Sequence, residues 1–186
     1  MNLKDALFEK INFNEDELKV ILGSFEKESI IKGEHIIKTG KTCDKLYYIK
    51  EGIFRSYYIN ENGKDITQWF FNDGKFMTSI ESFYQQKPSL YNIQALEDAV
   101  VYSINRKKLD TLFNTYPKAE RFGRLLAIEM LIKVSNKLNA IQFQKAKERY
   151  EYMITEFPNI YYRVPLGYIA SYLGMTQETL SRIRKK

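Results

Sequence analysis

The sequence predicts an α+β protein: an antiparallel β-roll, one long helix, and a C-terminal helix-turn-helix. Three observations carry this. Gly40, Gly52, Gly63 and Gly74 recur every 11 or 12 residues between short aromatic and β-branched runs, the rhythm of an antiparallel barrel or sandwich. A helical pattern of unusual length then runs from about Lys118 to Phe157. Two short helical patterns around Gly174 close the chain.

The elements follow in order. Asn14 and Glu17 have the spacing of a capping box, and Leu18, Ile21, Leu22 and Phe25 continue at helical period, so the chain opens on an amphipathic helix. From about Ile30 to Asn105 strands take over. The runs Leu46–Ile49, Ile53–Ile59 and Ile66–Phe71 lie between the glycines, and Tyr91–Ala95 and Val100–Ile104 would close the roll. Asn62-Gly63 predicts a two-residue hairpin turn, because both residue types tolerate positive φ, and Asp73-Gly74 predicts another turn. Asn105 caps a short helix bearing Leu109, Leu112 and Phe113.

The long pattern after Pro117 is apolar around most of its circumference; between Leu125 and Val134 only Glu129 and Lys133 are charged, four apart on one face. Such a helix needs burial on more than one side. One side suits the β-roll, and an identical helix from a second copy suits the other. Phe122, Leu125, Leu126, Met130, Ile132 and Val134 are the candidates for that interface. The alternative is a central core helix in a monomer. These divisions give residues 1–116 as β-roll with N-terminal helices, 117–145 as dimerisation helix and 146–186 as the C-terminal unit.

Composition bounds the function. With 44% hydrophobic and 28% charged residues the chain has core material and is not expected to be disordered. No stretch approaches the roughly 18–20 apolar residues that span a bilayer, and the segment from Met1 to Leu7 lacks the apolar core of a signal peptide. The expectation is a cytoplasmic protein that does not use the membrane. One cysteine, Cys43, cannot hold an iron–sulfur cluster, which needs about four thiolates, and one histidine, His35, argues against a multi-histidine metal site. No metal and no cofactor are expected.

The net charge of +6 says less than its placement. From Arg163 onward the cations are Arg163, Arg182, Arg184, Lys185 and Lys186, against the single acid Glu178. Such a tail is either a solvated helix end or a footprint for phosphate. The neighbouring residues favour phosphate. Pro165 can open a helix carrying Ile169, Ala170 and Leu173; Gly174 ends it; Met175 fills the turn; Thr176 caps a second helix with Leu180 and Ile183 inward. That is the helix-turn-helix pattern. On the second helix Gln177, Glu178, Ser181 and Arg182 can reach base edges. Thr176, Thr179, Arg184, Lys185 and Lys186 complete the candidate DNA surface, with Thr176 and Lys185 suited to phosphate. The bland alternative is a helical hairpin that only packs internally.

Lys32-Gly33-Glu34-His35-Ile36-Ile37-Lys38-Thr39-Gly40 and Asp44-Lys45-Leu46-Tyr47-Tyr48-Ile49-Lys50-Glu51-Gly52 resemble the β-roll of the cyclic-AMP receptor/fumarate–nitrate regulator (Crp/Fnr) superfamily. The segment from Gly167 to Ile183 resembles that family's helix-turn-helix. The resemblance implies a cyclic-nucleotide-binding-like β-roll, a dimerising helix and a winged-helix reader. It further implies a homodimer on double-stranded DNA, with RNA polymerase as a further partner. The family's base-contacting positions fall on Gln177, Glu178 and Arg182, and its phosphate-contacting hydroxyl on Thr176.

Two departures stand out. Cyclic-AMP binders of the family carry a Gly-Glu pair and an Arg-Ser/Thr pair around the phosphate. Here the corresponding stretches run Phe76-Met77-Thr78-Ser79-Ile80-Glu81-Ser82-Phe83-Tyr84 and Lys87-Pro88-Ser89-Leu90-Tyr91-Asn92, with Ser89 near the arginine position. A buried phosphate without a cation is costly, so cyclic AMP is not the expected effector. Met77, Thr78, Ser79, Ser89 and Tyr91 are the candidate lining of an effector pocket, or ordinary β-roll packing. Second, the recognition helix ends close to Lys186, so the chain either lacks the family's hairpin wing or is shortened.

The leading function is thus a sequence-specific DNA-binding regulator acting as a homodimer. The alternative is a small-molecule or cyclic-nucleotide sensor that signals through protein contacts. An enzyme on a cupin-like barrel fares worst, since one histidine cannot build its metal site, and no catalytic residue is assigned.

Overall fold

The computed structural model describes residues 2–158 and 160–185. Helices α1 (Leu3–Lys10) and α2 (Glu15–Gly23) open it. The Asn14 side chain accepts the Glu17 amide at 2.8 Å and Glu17 accepts the Asn14 amide at 2.8 Å, which is the expected box. Asn2 and Asp5 repeat the device on α1, a separate helix that the periodicity of Leu18–Phe25 does not announce.

The strands are β1 (Glu26–Ile30), β2 (His35–Ile37), β3 (Lys45–Glu51), β4 (Phe54–Ile59), β5 (Asp65–Phe71) and β6 (Phe76–Met77). After helix α3 (Ile80–Gln85) come β7 (Asn92–Ala95) and β8 (Ala99–Asn105). They form two antiparallel sheets, ordered β1-β8-β3-β6 and β2-β7-β4-β5. The first sheet is buried on both faces, with Ile49 and Val101 on one and Tyr48 and Ile104 on the other, while Phe54 and Ile93 share a face of the second sheet; all six are almost wholly buried. Gly52 turns the chain between β3 and β4 at φ +125°, where a Cβ would overlap the side chain of Ala99. Its amide donates to Asp73 at 2.7 Å.

The hairpin between β4 and β5 differs from the two-residue turn expected at Asn62-Gly63. The loop spans Asn60 to Lys64, and only Gly63 takes positive φ, at +73°. The reason is local. The Asn60 side chain accepts the amides of Asn62 and Lys64, so an asparagine-capped loop replaces the tighter turn.

Asn105 caps α4 (Arg106–Thr115) by accepting the Lys108 amide at 2.9 Å. Helix α5 (Pro117–Phe143) begins on its proline, whose missing N–H has no helical partner to lose. Gly123 lets α5 approach α4, since a Cβ there would overlap the Phe113 ring.

The helical pattern does not run unbroken to Phe157. Gln144 and Lys145 are extended, and α6 (Ala146–Glu156) starts afresh. Glu148 accepts the Lys145 amide at 2.7 Å, and the Arg149 guanidinium donates to the Gln144 carbonyl at 3.0 Å. Side chains therefore satisfy the backbone groups released by the break. Before Pro165 the chain forms a helical turn, α7 (Ile160–Arg163). The chain finishes with α8 (Leu166–Tyr172) and α9 (Gln177–Arg184).

Helix α5 divides the six residues proposed for its interface. Phe122 is buried, with its ring edge-on to Phe13 and Phe76 at 6.5 and 5.6 Å. It belongs to the core, because α1–α2 and the sheet close over that end of the helix. Leu125, Leu126 and Met130 pack partly against the same core. Ile132 and Val134 are exposed, as are Ile128, Leu131, Leu138, Ile141 and Phe143, which the sequence list omitted.

Candidate nucleic-acid interface

Helices α8 and α9 form a tight pair. Ile169, Ala170 and Leu173 bury one side, Leu180 the other, and Met153 of α6 and Ile160 of α7 close the base. Ala170 leaves the space for close approach. Pro165 stands at the cap, one residue before the first helical position rather than within the first turn, and its carbonyl accepts the Tyr168 amide at 3.0 Å. Gly174, at φ +65°, reverses the chain, and the Met175 amide returns to the Ala170 carbonyl at 3.0 Å. Thr176 caps α9 by accepting the Thr179 amide at 3.2 Å. Met175 is half-buried against the core.

The outer face of α9 is open. Thr176, Gln177, Glu178, Arg182, Arg184 and Lys185 are exposed, and Thr179 and Ser181 are half-buried. Helical spacing sets Gln177, Ser181 and Arg184 along one line and Glu178, Arg182 and Lys185 along the next. Its own backbone amide and the Thr176 hydroxyl hold the Glu178 carboxyl below its usual range, with Arg182 adding to the effect. Glu178 is thus an anionic acceptor beside a cationic fork. Arg184 lies over the Tyr161 ring at 5.7 Å. Lys186 lies outside the described residues.

The residues proposed for an effector pocket do come together, though largely with one another. The Ser79 and Ser89 hydroxyls are 2.9 Å apart and both buried; Ser89 Oγ also meets the Tyr91 carbonyl at 2.9 Å and amide at 3.1 Å. Thr78 donates to the Lys45 carbonyl at 2.9 Å. Met77 is buried in the roll, and Tyr91 stands edge-on to Tyr58. Lys87 is exposed, and its carbonyl accepts from Ser82. A cavity of about 520 Å³ lies instead between the roll and α5, lined by Leu7, Phe13, Phe76, Leu126 and Met130; of the five proposed residues only Met77 and Thr78 reach it. Its walls come from segments distant in the chain, so no local pattern signals it.

Sequence reasoning also missed Arg55. Only 3% exposed, it forms a two-pronged pair with Asp65 at 2.7 Å on each prong and packs against the ring of Tyr168 at 3.6 Å. Among the described residues no cluster of three or more His, Cys, Asp or Glu side chains could hold a metal. No helix among them is long and apolar enough to cross a membrane.

A β-roll, a long helix with an exposed apolar stripe and a capped helix-turn-helix together define a regulator of the DNA-reading class. Residues 27–116 match the cyclic nucleotide-binding domain. The chain is 30% identical to Electron transport regulator A of Shewanella oneidensis, covering 93% of this chain and 72% of that protein. It is likewise 30% identical to the fumarate and nitrate reduction regulatory protein of Vibrio cholerae, over 91% and 72%. The fold is similar to that of FixK2 from Bradyrhizobium japonicum, with a TM-score of 0.75 at 20% identity over 87% of this chain and 83% of that one. The chain belongs to the Crp/Fnr family of transcription regulators. Its relatives are regulators rather than enzymes.

Proposed function

We propose that two copies of this chain, paired along α5, read a roughly two-fold-symmetric site in double-stranded DNA, each inserting α9 into a major groove. The observation that carries this is the open face of α9, with Gln177, Glu178, Ser181 and Arg182 displayed over a buried base and a satisfied cap. Arg182 suits guanine, Glu178 the cytosine amino group, and Thr176, Thr179, Arg184, Lys185 and Lys186 the phosphates on either side. Pairing is supported by the exposed stripe Ile128, Leu131, Ile132, Val134, Leu138 and Ile141, a patch too apolar to leave in water.

In this reading residues 1–116 sense, 117–145 pair and 146–186 bind DNA, in the cytoplasm where the chromosome lies, with RNA polymerase as the further partner. Cyclic AMP is not the effector in this reading: the buried Ser79 and Ser89 hydroxyls are bonded to each other and Ser89 also to the Tyr91 backbone, while the Arg55 guanidinium, on the outer face of its sheet, is held by Asp65 and Tyr168. The test is selection from random duplex DNA at two salt concentrations. The expected result is an inverted repeat whose binding weakens steeply with salt, as release of counterions from several phosphates requires. Enrichment of no sequence would refute the reading.

A further inference from the structure

The helix-turn-helix does not hang on its linker. Its first helix lies on the outer face of the second sheet, and three side chains of α8, spread over little more than one turn, hold it there. Tyr168 packs its ring on the Arg55 guanidinium of β4 at 3.6 Å, with the Tyr57 ring also against it at 4.0 Å. Ser171 accepts the Thr67 amide of β5 at 2.9 Å. Because β5 is an edge strand of its sheet, that outward N–H would otherwise want a partner from water. Tyr172 meets Phe70 of β5 at 5.3 Å between ring centroids. Lys137 of α5 lies 3.9 Å over the Tyr172 ring and donates to the Gln68 carbonyl of β5. The sheet, the pairing helix and the DNA-reading unit thus meet at one junction.

The covalent connection is short. It consists of the extended pair Gln144 and Lys145, and the Gln144 Oε1 is a buried acceptor without a hydrogen-bond partner. A unit tied only by this link could place α9 over a range of positions. Held at α8, beside the contacts of Phe157 with Phe70 and of Arg163 with Asp73 and Glu97, it has one position relative to α5, and α5 carries the two-fold axis of the proposed pair.

We infer that Tyr168 and Ser171 are specificity determinants that do not touch DNA: by docking α8 on Arg55 and Thr67 they set the one half-site separation this dimer accepts. The inference rests on the DNA reading proposed above. Its physical basis is geometric. Each added base pair moves the second half-site by about 3.4 Å along the axis and turns it by about a tenth of a helical turn. A rigidly docked reader cannot follow that displacement, whereas a tethered one can.

The test uses the full chain as wild type, Tyr168→Ala, Tyr168→Phe and Ser171→Ala. The probes are duplexes bearing the selected half-site as inverted repeats, with separations stepped by single base pairs around about one helical turn. Wild type and Tyr168→Phe, which keeps the ring over Arg55, should favour one separation by on the order of tenfold over its neighbours. Tyr168→Ala and Ser171→Ala should bind neighbouring separations within about threefold of one another, with affinity for an isolated half-site unchanged, since α9 is untouched. Hydrogen exchange without DNA supplies the second measurement: the Thr67 amide should be protected in wild type and lose protection in both alanine variants. An unchanged separation preference in the alanine variants, whether overall affinity rises or falls, overturns the inference, and so does rapid exchange of Thr67 in wild type. If wild type binds no DNA while Thr67 stays protected, the DNA reading has failed and takes this inference with it, though the docking itself stands.

Discussion

At the scale of single residues, Arg182 and Lys137 show two uses of a cation. Arg182 is exposed on α9 with Glu178 one turn before it, free to fork onto a base. Arg182→Ala should weaken binding to the selected site by about 1–3 kcal/mol and relax preference at one position of each half-site. Competition with site variants checks this, and an unaltered preference profile would remove Arg182 from base reading. Lys137 is the opposite case. Burial lowers its pKa to about 8 from the usual 10.5. A lysine with a depressed folded pKa binds its proton more weakly in the native state than in the unfolded chain. Its charge therefore counts against stability below about pH 8, and the penalty fades as pH rises toward 10.5. Relative to Lys137→Met, wild type should gain stability across that window, by roughly 3 kcal/mol at most. Denaturant titrations of both proteins at pH 7, 9 and 10.5 would show the difference, and parallel curves would contradict it.

At the scale of elements, α5 tests whether its two sides do different work. Phe122→Ala should destabilise the fold by about 3–5 kcal/mol, as for other large side chains removed from a core, because the ring sits between Phe13 and Phe76. Ile132→Glu should leave the fold intact and split the pair, lowering affinity for the inverted repeat; sedimentation would read this directly, and a dimeric Ile132→Glu would put the interface elsewhere. That contrast also marks how far the sequence could be read. The caps at Asn14, Asn105 and Thr176 are legible because each joins one side chain to a nearby backbone amide, and the turn at Gly174 because only glycine takes its positive φ freely. The split of α5 into core and free sides is not, since Phe122 and Ile132 are both large and apolar and only tertiary packing separates them. No glycine or proline marks the break at Gln144; Arg149 folds back onto the Gln144 carbonyl there and also donates to the Leu173 carbonyl of the helix-turn-helix at 3.1 Å. Of the candidate site, the exposed face of α9 is legible as helical spacing. Arg55 is not, because its partners Asp65, Gln94 and Tyr168 lie 10, 39 and 113 positions away.

At the scale of the whole molecule, the C-terminal unit is held by charge as well as by aromatic packing. Arg163 of α7 pairs with Asp73, at 2.7 Å, and with Glu97, both on loops of the roll. Donating to the Glu97 and Asp73 carboxylates raises the arginine's pKa. Burial alone would push Asp73 up, but the bonds from Arg163 and the Gly52 amide outweigh it and leave the carboxyl below its usual value of 3.8. Its contribution is therefore present above that value and lost only as pH falls through the lower folded pKa. Arg163→Ala should cost about 1 kcal/mol, since these groups are partly exposed, and should act locally. Native-state proteolysis would detect faster cleavage within α7, while an unchanged cleavage rate would show that the aromatic contacts suffice.

The docking of α8 also decides how this chain can be divided. A boundary drawn between Phe143 and Ala146 looks like a natural place to cut, yet a fragment ending there would bare Trp69 and Phe70, deprive the Thr67 edge amide of its acceptor and open the Arg55–Asp65 pair to water. Such a fragment would carry an unprotected strand edge beside an aromatic surface, the combination that drives edge-to-edge aggregation. Of the three proposed segments, the third thus covers part of the first, and the cut would expose what α8 now buries.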